Sequence, residues 1–391
     1  MRTVLSVFLL LVTSQMASAQ VDCFYYADEG QTIVSGVSTE GVATVNADKE
    51  LTIPCQVVKV LYNAFASLKN LNDMTIDGGN PEFEKQDGQN ALSDVRQSLT
   101  AITINGSGMT TANIGTMLDG LGADNHIETI DIYNDAFPFD ASITTTASLT
   151  NARVVLPASR VGSQQIGGAK IYGRFTMKEG AELATFCGNA LFYDENDGSN
   201  FLFYIPTEIV EVNGEKRIHI QRVRYILPNQ GILMHHTENS SLTVSLPRVD
   251  EKPDNEQYNE QYEADKTRFA GNMLVGVTEP TAIGKTTVKD GEAYVNMILK
   301  SGFFYPTSGG TLGANRAYLQ VKQSDLQDVQ NARIGIAFGE EDEATNIHPH
   351  TSEGTHQTST FNHQPSQWYT FSGQRLADRP RQPGFYKKVK K

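Results

Sequence analysis

Side chains capable of catalysis occur throughout this 391-residue chain, but their spacing matches none of the common catalytic motifs. The sequence has no Gly-x-Ser-x-Gly elbow, no His-Glu-x-x-His pair and no phosphate-binding glycine loop followed by lysine. His235 and His236 are adjacent in a predicted strand, where neighbouring side chains point to opposite faces and cannot easily share one metal. Carboxylate pairs for glycoside hydrolysis come from distant positions, so a glycan-active enzyme stays open as an alternative. The motifs favour a protein that is not an enzyme and that uses no cofactor.

Three further groups of residues invite a metal or thiol hypothesis, and each has a simpler structural interpretation. The segment 194–198 resembles a calcium loop, but its glycine comes one position early and no helices flank it, which favours a hairpin turn. Cys187 follows an apolar, strand-like run without a nearby histidine, which favours a buried thiol over a nucleophile. Four histidines in a polar segment lack zinc-ligand spacing, which predicts a flexible linker and no metal site: His348, His350, His356 and His363.

The N-terminal residues predict export. Arg2 supplies a positive end, residues 4–12 are almost all apolar, and Ala17-Ser18-Ala19 has the small-x-small pattern of a cleavage site. We therefore expect a signal peptide cleaved after Ala19, a protein that is secreted or held at the outer cell surface, and no membrane span. An oxidising compartment permits a disulfide between Cys23 and Cys55, although two unpaired cysteines are at least as compatible with the sequence.

Length and charge narrow the organisation and the partners. About 370 residues remain after the leader, which is too long for one hydrophobic core and predicts two domains. The net charge of −13 argues against nucleic acid or an anionic membrane as the partner.

Short strand-like segments recur in the first half, each with two apolar residues that flank a central residue. They are Leu51-Thr52-Ile53, Met74-Thr75-Ile76, Ile102-Thr103-Ile104, Ile130-Asp131-Ile132 and Val154-Val155-Leu156. Their spacing of roughly 23 to 28 residues lies in the range of leucine-rich repeats. Such units bury their apolar side by stacking into a parallel sheet, and here 90–99 and 111–121 are predicted to return as short helices. An ordinary α/β sheet with coincidental spacing is the alternative.

Local sequence around these segments points to a particular family. Asn63-Ala64-Phe65 leads to Leu68 and Leu71 before one predicted strand, and the first and last strands end in Ile53-Pro54 and Leu156-Pro157. This pattern resembles the BspA-like leucine-rich repeats of surface proteins from Bacteroides-type bacteria, over roughly residues 48–157. The two middle repeats lack the Ala-Phe pair. The resemblance implies adhesion to proteins or host surfaces.

The second half is predicted to be β. Alternating apolar residues and turn signals such as Asn213-Gly214 and Gly309-Gly310 indicate an antiparallel sandwich-like domain. The segments 227–233, 272–276 and 302–319 resemble a β module common in the exported proteins of the same bacteria. The acidic segment 250–266 is predicted to be a solvated loop or a short charged helix. The C-terminal segment resembles terminal segments that some of those proteins use for sorting.

These observations predict an α/β leucine-rich-repeat solenoid of about five strands followed by an all-β sandwich-like domain. The expected parts are a signal peptide (1–19), an N-terminal cap (20–47), the repeat domain (48–173), a β domain (174–338), a polar linker (339–367) and a C-terminal β segment (368–391).

The expected function is non-enzymatic binding or adhesion to a protein or glycan ligand at the cell surface. The residues between the core positions of the strands should form the ligand face: Thr75, Asp77, Thr103, Asn105, Asp131, Tyr133 and Val155. The alternatives are a structural subunit of a surface assembly and, third, a glycan-active enzyme. The ligand and the oligomeric state are not predicted.

Overall fold

The structure is a computed structural model that describes residues 23–106, 108–195, 201–236, 242–249, 256–326, 329, 332–338, 367–370, 375–376 and 386–389. The chain divides into two units, residues 1–347 and 348–391. The expected signal peptide, the four linker histidines and most of the polar linker lie outside the described residues. No helix in the described part of the chain is long and apolar enough to span a membrane.

The first half contains ten strands and two α-helices. The strands are β1 (Phe24–Tyr26), β2 (Ile33–Val37), β3 (Glu50–Pro54), β4 (Lys59–Val60), β5 (Asp73–Asp77), β6 (Glu82–Phe83), β7 (Ala101–Asn105), β8 (Thr129–Tyr133), β9 (Arg153–Pro157) and β10 (Lys170–Thr176). The helices are α1 (Thr39–Asp48) and α2 (Thr111–Asp119), and single 3₁₀ turns occupy Ala91–Asp94 and Ala158–Arg160.

The second half adds one α-helix and strands of varied length. The helix is α3 (Glu256–Phe269), and a 3₁₀ turn occupies Gln323–Asp325. The strands are β11 (Leu183–Phe186), β12 (Phe192–Tyr193), β13 (Phe201–Val212), β14 (Glu215–Arg222), β15 (Tyr225–Ile226), β16 (Ile232–His236), β17 (Thr243–Pro247), β18 (Leu274–Val277), β19 (Thr281–Ile283), β20 (Thr286–Lys289), β21 (Glu292–Lys300), β22 (Phe303–Pro306), β23 (Gly310–Leu312), β24 (Arg316–Lys322) and β25 (Gly335–Phe338). In the second unit, β26 (Gln367–Thr370) pairs antiparallel with β27 (Arg375–Leu376) and with β28 (Tyr386–Val389).

A seven-stranded sheet dominates the first half, in the order β17-β10-β9-β8-β7-β5-β3. The strands from β3 to β10 pair in parallel, and β17 joins antiparallel at the β10 edge. All five segments singled out by their alternating pattern are strands of this sheet. Their flanking apolar residues, such as Ile53, Ile76 and Ile104, are buried because alternation directs them to one face.

The predicted class, an α/β leucine-rich-repeat solenoid followed by an all-β sandwich-like domain, is wrong. Strand accounts for 43% of the structure and helix for 14%, which makes it mostly β. The parallel strands are one part of a mixed sheet that ends in an antiparallel strand. The later strands form smaller sheets: the sheet of β11, β16, β13, β14 and β25 is mixed, and the others are antiparallel. The return segments also contain less helix than their apolar spacing predicted, because side-chain and backbone contacts in tight turns replace helical hydrogen bonds.

The two return segments predicted to be helical differ in outcome. Residues 111–119 form α2, which Thr110 caps by accepting a hydrogen bond from Asn113. Residues 90–99 contain only the 3₁₀ turn at Ala91–Asp94. Buried Asn90 fixes that turn: its Oδ1 accepts from the Leu92 amide, and its Nδ2 donates to the carbonyls of Thr116 and Met117 at 2.7 and 3.0 Å. Asn90 therefore ties one return segment to the next.

The smaller sheets surround two main hydrophobic cores. The larger core runs from Phe24 to Phe269 and includes Phe175, Phe192 and Phe203. It therefore contains residues from both sides of the boundary expected between the repeat domain (48–173) and the β domain (174–338). The second core lies between the sheet of β11, β16, β13, β14 and β25 and the sheet of β18, β24, β21 and β20. In the acidic segment 250–266 the described part belongs to α3, whose Asp265 is buried and accepts from the amides of Arg224 and Tyr225.

The three cysteines all lie in the described part of the chain, and none of them forms a disulfide in this structure. Cys55 is exposed and Cys23 is half-buried. Cys187 is buried, as its apolar surroundings predicted. No disulfide between Cys23 and Cys55 therefore holds the N-terminal strands to the large sheet.

We expect Asn90→Ala to lower the free energy of unfolding by about 3 kcal/mol, because the change leaves two buried carbonyls and one buried amide without their partner. Urea denaturation of the variant and of the exposed control Asn151→Ala measures the difference. Equal stability of the two variants would contradict the role assigned to Asn90.

Candidate functional site

The residues predicted to face the ligand lie on the outer face of the seven-stranded sheet, opposite the core. Thr75, Thr103, Asp131 and Val155 align across β5, β7, β8 and β9. Asp77 and Asn105 align in the next row, with Tyr133 beside them on β8. Asp77 and Tyr133 are exposed, while Thr75, Thr103, Asn105 and Asp131 are half-buried. In-register pairing thus brings six of the seven residues onto one accessible surface, with neighbouring strands about 4.8 Å apart.

Val155 is the exception, and its assignment to the ligand face is corrected. It is only 3% exposed, although alternation places it on the outer face. Val155 lies in register between Asp131 on β8 and Tyr172 on β10, and the Arg174 side chain also crosses β9 to reach Asp131. Cover from a neighbouring strand's long side chain is a tertiary effect that alternation along one strand cannot predict.

Arg174 organises this end of the face, and the sequence analysis did not identify it. Its guanidinium forms an ion pair with Asp131, stacks 3.6 Å from the ring centre of Tyr133 and donates to the Ile132 carbonyl at 3.1 Å. Burial lowers the pKa of Arg174 to about 10, so the group is still charged at neutral pH. Arg174 therefore orients two of the predicted ligand residues.

A cleft of about 560 Å³ opens at the carboxyl ends of β8, β9 and β10, and we call it the sheet-end cleft. The large sheet meets parts of the second half there. The residues that line it are Tyr133, Asp135, Pro157, Ala158, Ser159, Arg174, Phe175, Thr176, Thr185, Phe186, Met234, Thr243, Ala314, Asn315 and Arg316. Two of the predicted site residues, Asp131 and Tyr133, are thus held by Arg174 at or beside this cleft.

Apolar and charged groups are divided between the floor and the rim of the sheet-end cleft. Phe175 and Phe186 pack edge to face with ring centres 5.0 Å apart, and Met234 is buried. Asp135 and Arg316 are exposed and bring opposite charges to the rim. An apolar floor with a few polar groups around it is typical of a binding site for a small molecule or for one unit of a polymer.

The start of β24, where Arg316 lies, and the loop before it are fixed to the neighbouring sheet. Asn315 donates from Nδ2 to the Cys187 carbonyl at 3.1 Å, and the Ala317 amide donates to the Thr185 hydroxyl at 3.2 Å. These contacts join residues about 130 positions apart in the chain. No sequence pattern could have placed Arg316 and Tyr133 in the lining of one cleft, because their common position depends on how the two halves pack.

Of the candidate metal and thiol residues within the described ranges, Cys187 and Asp194 are buried. No group of three or more His, Cys, Asp or Glu side chains among those residues could hold a metal ion. Burial raises the pKa of Cys187 to about 11, so it is a neutral thiol at pH 7. Asp194 is buried and its carbonyl accepts two hydrogen bonds from Arg224, while the rest of the calcium-like segment up to Gly198 is described only as far as residue 195.

His235 and His236 are both buried on β16, where their rings lie near Tyr204 and Phe201 respectively. Burial, together with the neighbouring His236, lowers the pKa of His235 to about 4. His235 is therefore neutral at pH 7 and is suited to packing in this sheet rather than to carrying charge.

We expect His235 to make the protein sensitive to mild acid. The folded pKa lies below the ordinary value of 6.5, so the unfolded state binds the proton more readily and stability falls as the pH drops from 6.5 to 4. The loss over this window should be about 3 kcal/mol larger for the wild type than for His235→Gln. Urea denaturation at several pH values measures it, with exposed His126→Gln as the control. Parallel pH profiles for the wild type and His235→Gln would contradict the prediction.

We expect Arg174→Met to destabilise the fold by about 3 kcal/mol, because Asp131 loses its cation and the Ile132 carbonyl loses a donor. The control is Arg153→Met on the same face, where an exposed guanidinium donates only to Thr129 and the loss should be within about 0.5 kcal/mol. Thermal and urea unfolding of both variants measures the difference. Similar losses for the two variants would show that the ion pair does not organise the face.

Comparison with known proteins does not assign the chain to a family. No protein-family model, no curated protein and no solved structure matches it. The resemblance to BspA-like surface proteins, with the adhesive function that it implies, therefore stays a prediction from sequence. The candidate site rests on its own geometry.

Proposed function

We propose that this protein is a non-enzymatic binding protein that is either secreted or held at the outer cell surface. Its ligand lies along the outer face of the seven-stranded sheet and enters the sheet-end cleft. One observation carries the proposal. The exposed face predicted from sequence continues, through Tyr133, into a cleft with an aromatic floor and a charged rim. A surface of this kind offers both an extended contact and a pocket for one anchoring group.

The regular spacing of the face favours a ligand that is itself a polymer. Thr75 and Thr103 present hydroxyl groups on adjacent strands, and Asp77 and Asn105 present a carboxylate and an amide in the neighbouring row. An extended peptide or a glycan chain has hydrogen-bonding groups that recur along its length and can meet such rows. Tyr133 is 49% exposed with Arg174 on its ring, so it offers a rigid aromatic surface at the entrance to the cleft.

The two alternatives have less support. A structural subunit would present a continuous apolar patch, whereas the most exposed large apolar residues in the described ranges are on separate segments: Tyr25, Val58, Tyr133, Phe139 and Val288. A glycan-active enzyme needs two carboxylates available to the substrate. Asp131 is engaged by Arg174, which leaves Asp135 as the carboxylate that lines the sheet-end cleft.

We expect Tyr133→Ala and Arg316→Ala each to weaken ligand binding at least tenfold, because both remove contacts at the mouth of the cleft without opening the core. A screen of the purified mature chain against extracellular-matrix proteins and a polysaccharide array identifies the ligand, and titration then gives the affinities. Tyr25→Ala is the matched control, since Tyr25 is 54% exposed on β1 and does not line the cleft.

Three outcomes would count against the proposal. Unchanged binding by Tyr133→Ala and Arg316→Ala would place the ligand elsewhere. An equal loss in Tyr25→Ala would indicate non-specific adsorption. Absence of any ligand in the screen, together with self-association of the purified chain, would favour the structural subunit.

A further inference from the structure

A second cleft, of about 420 Å³, lies in the second half of the chain beside an irregularity in β13, and we call it the bulge cleft. One side is formed by β13 and the residues that lead into β18, and the other by strands β20, β21 and β24. The residues that line it are Thr207, Glu208, Ile209, Asn272, Met273, Val275, Lys289, Tyr294, Gln320, Lys322 and Asp325. None of them lines the sheet-end cleft.

A chain of buried amides ends at this cleft. Asn296 donates from Nδ2 to the Gly284 carbonyl at 3.0 Å and to the Thr287 hydroxyl at 2.9 Å. Its Oδ1 is therefore the acceptor that faces Gln320, whose Nε2 donates to it at 2.9 Å. The same contacts fix the orientation of the Gln320 amide and leave Oε1 as its second polar atom.

The Oε1 atom of Gln320 has no hydrogen-bond partner in the part of the chain that the structure describes. Gln320 is only 5% exposed, and its backbone amide is already used in a hydrogen bond to Met273. A buried carbonyl oxygen without a donor is unfavourable, so the site is one donor short. The oxygen itself exposes almost no surface, so a ligand hydroxyl would supply that donor once the lining side chains shift on binding.

Thr207 provides a second unused polar group beside the first. The register of β13 against β14 shifts between Pro206 and Glu208, which places Thr207 in a β-bulge. Its Oγ1 atom likewise has no partner among the described residues. Bulges commonly redirect a side chain next to a functional site. A hydroxyl that both donates and accepts suits a ligand hydroxyl, since either can supply the proton.

The rim of the bulge cleft carries balanced charge. Lys289 and Lys322 face Glu208 and Asp325 in the lining, and Lys322 is paired with Glu292 at 2.6 Å. The Lys289 ammonium lies 5.8 Å from the centre of the Tyr294 ring. Two lining cations against two lining anions, with Glu292 as a further carboxylate on Lys322, do not favour an anionic ligand, while the aromatic ring offers an apolar surface. This combination fits a neutral, hydroxyl-rich molecule better than an anion.

We propose that the bulge cleft binds a short segment of a neutral saccharide. A sugar hydroxyl donates to Oε1 of Gln320, another exchanges hydrogen bonds with Thr207, and the C–H face of the ring packs against Tyr294. The volume lies in the range of roughly 300 to 1,000 Å³ that small-molecule sites occupy. This site is independent of the sheet-end cleft, so either proposal can fail without the other.

Saturation-transfer NMR on the full mature chain tests the proposal. The probes are glucose, galactose, mannose and N-acetylglucosamine with their disaccharides, and glucuronate and glucose 6-phosphate, whose C–H protons report saturation transfer, are the charged comparisons. We expect at least one neutral sugar to bind more tightly than either anion. Tyr294→Leu and Thr207→Val should each weaken that binding at least fivefold, and Gln320→Met at least tenfold. Tyr305→Leu, a half-buried tyrosine on β22 that does not line the cleft, should bind as the wild type does.

Near-UV circular dichroism checks that each variant is folded, and Thr207→Val and Tyr294→Leu decide the test if Gln320→Met does not fold. Tighter binding of glucuronate or glucose 6-phosphate would overturn the proposal in favour of an anion site. Absence of saturation transfer from the protein to every neutral sugar would overturn the saccharide proposal in favour of a water-filled cleft. Binding that is unchanged in the Thr207, Tyr294 and Gln320 variants but lost in Arg316→Met would move the saccharide to the sheet-end cleft.

Discussion

The in-register parallel pairing of β3, β5, β7, β8, β9 and β10 is the constraint on which the rest of the molecule depends. Register fixes which side of every strand faces the core, since a slip by one residue would reverse all the side chains of that strand. Apolar residues such as Ile76 and Ile104 gain burial only in this register, and their burial in turn aligns the polar residues between them. The hydrophobic core and the outer polar rows are therefore two results of one arrangement.

The change of strand direction at β10 explains where the candidate site lies. β10 pairs in parallel with β9 on one side and antiparallel with β17 on the other, so one strand of the second half joins the large sheet there. The carboxyl ends of β8, β9 and β10 then meet residues from β11, β16 and the loop before β24. A cleft arises where two packing arrangements meet, because neither alone can fill the space between them. The same reasoning applies to the bulge cleft, which opens where β13 departs from regular pairing.

The sequence predicted what depends on local periodicity and missed what depends on long-range contacts. Alternation located five strands of the large sheet, and helical spacing located α2. Helical spacing was misleading at residues 90–99. There the Asn90 side chain donates hydrogen bonds to carbonyls 26 and 27 residues away and fixes a turn. Six outer-face residues could be inferred from period two alone, whereas burial of Val155 depends on side chains of the neighbouring strands, which period two does not report. Gln320 and Thr207 are ordinary strand residues in the sequence, and only the fold reveals that each has an unused polar atom.

Under the proposed function, the ion pair between Arg174 and Asp131 would also affect which ligand groups bind at this end of the sheet. A basic ligand group that approached Asp131 would have to displace Arg174, and an acidic group that approached Arg174 would have to displace Asp131. Either exchange breaks one charge-assisted contact to make another, so a charged competitor gains little by it. An uncharged ligand group would leave the ion pair intact and could still pack against the Tyr133 ring. Under the proposed function, internal neutralisation would favour ligand selection by shape and hydrogen bonding at this end of the sheet, even in a chain whose overall charge is strongly negative.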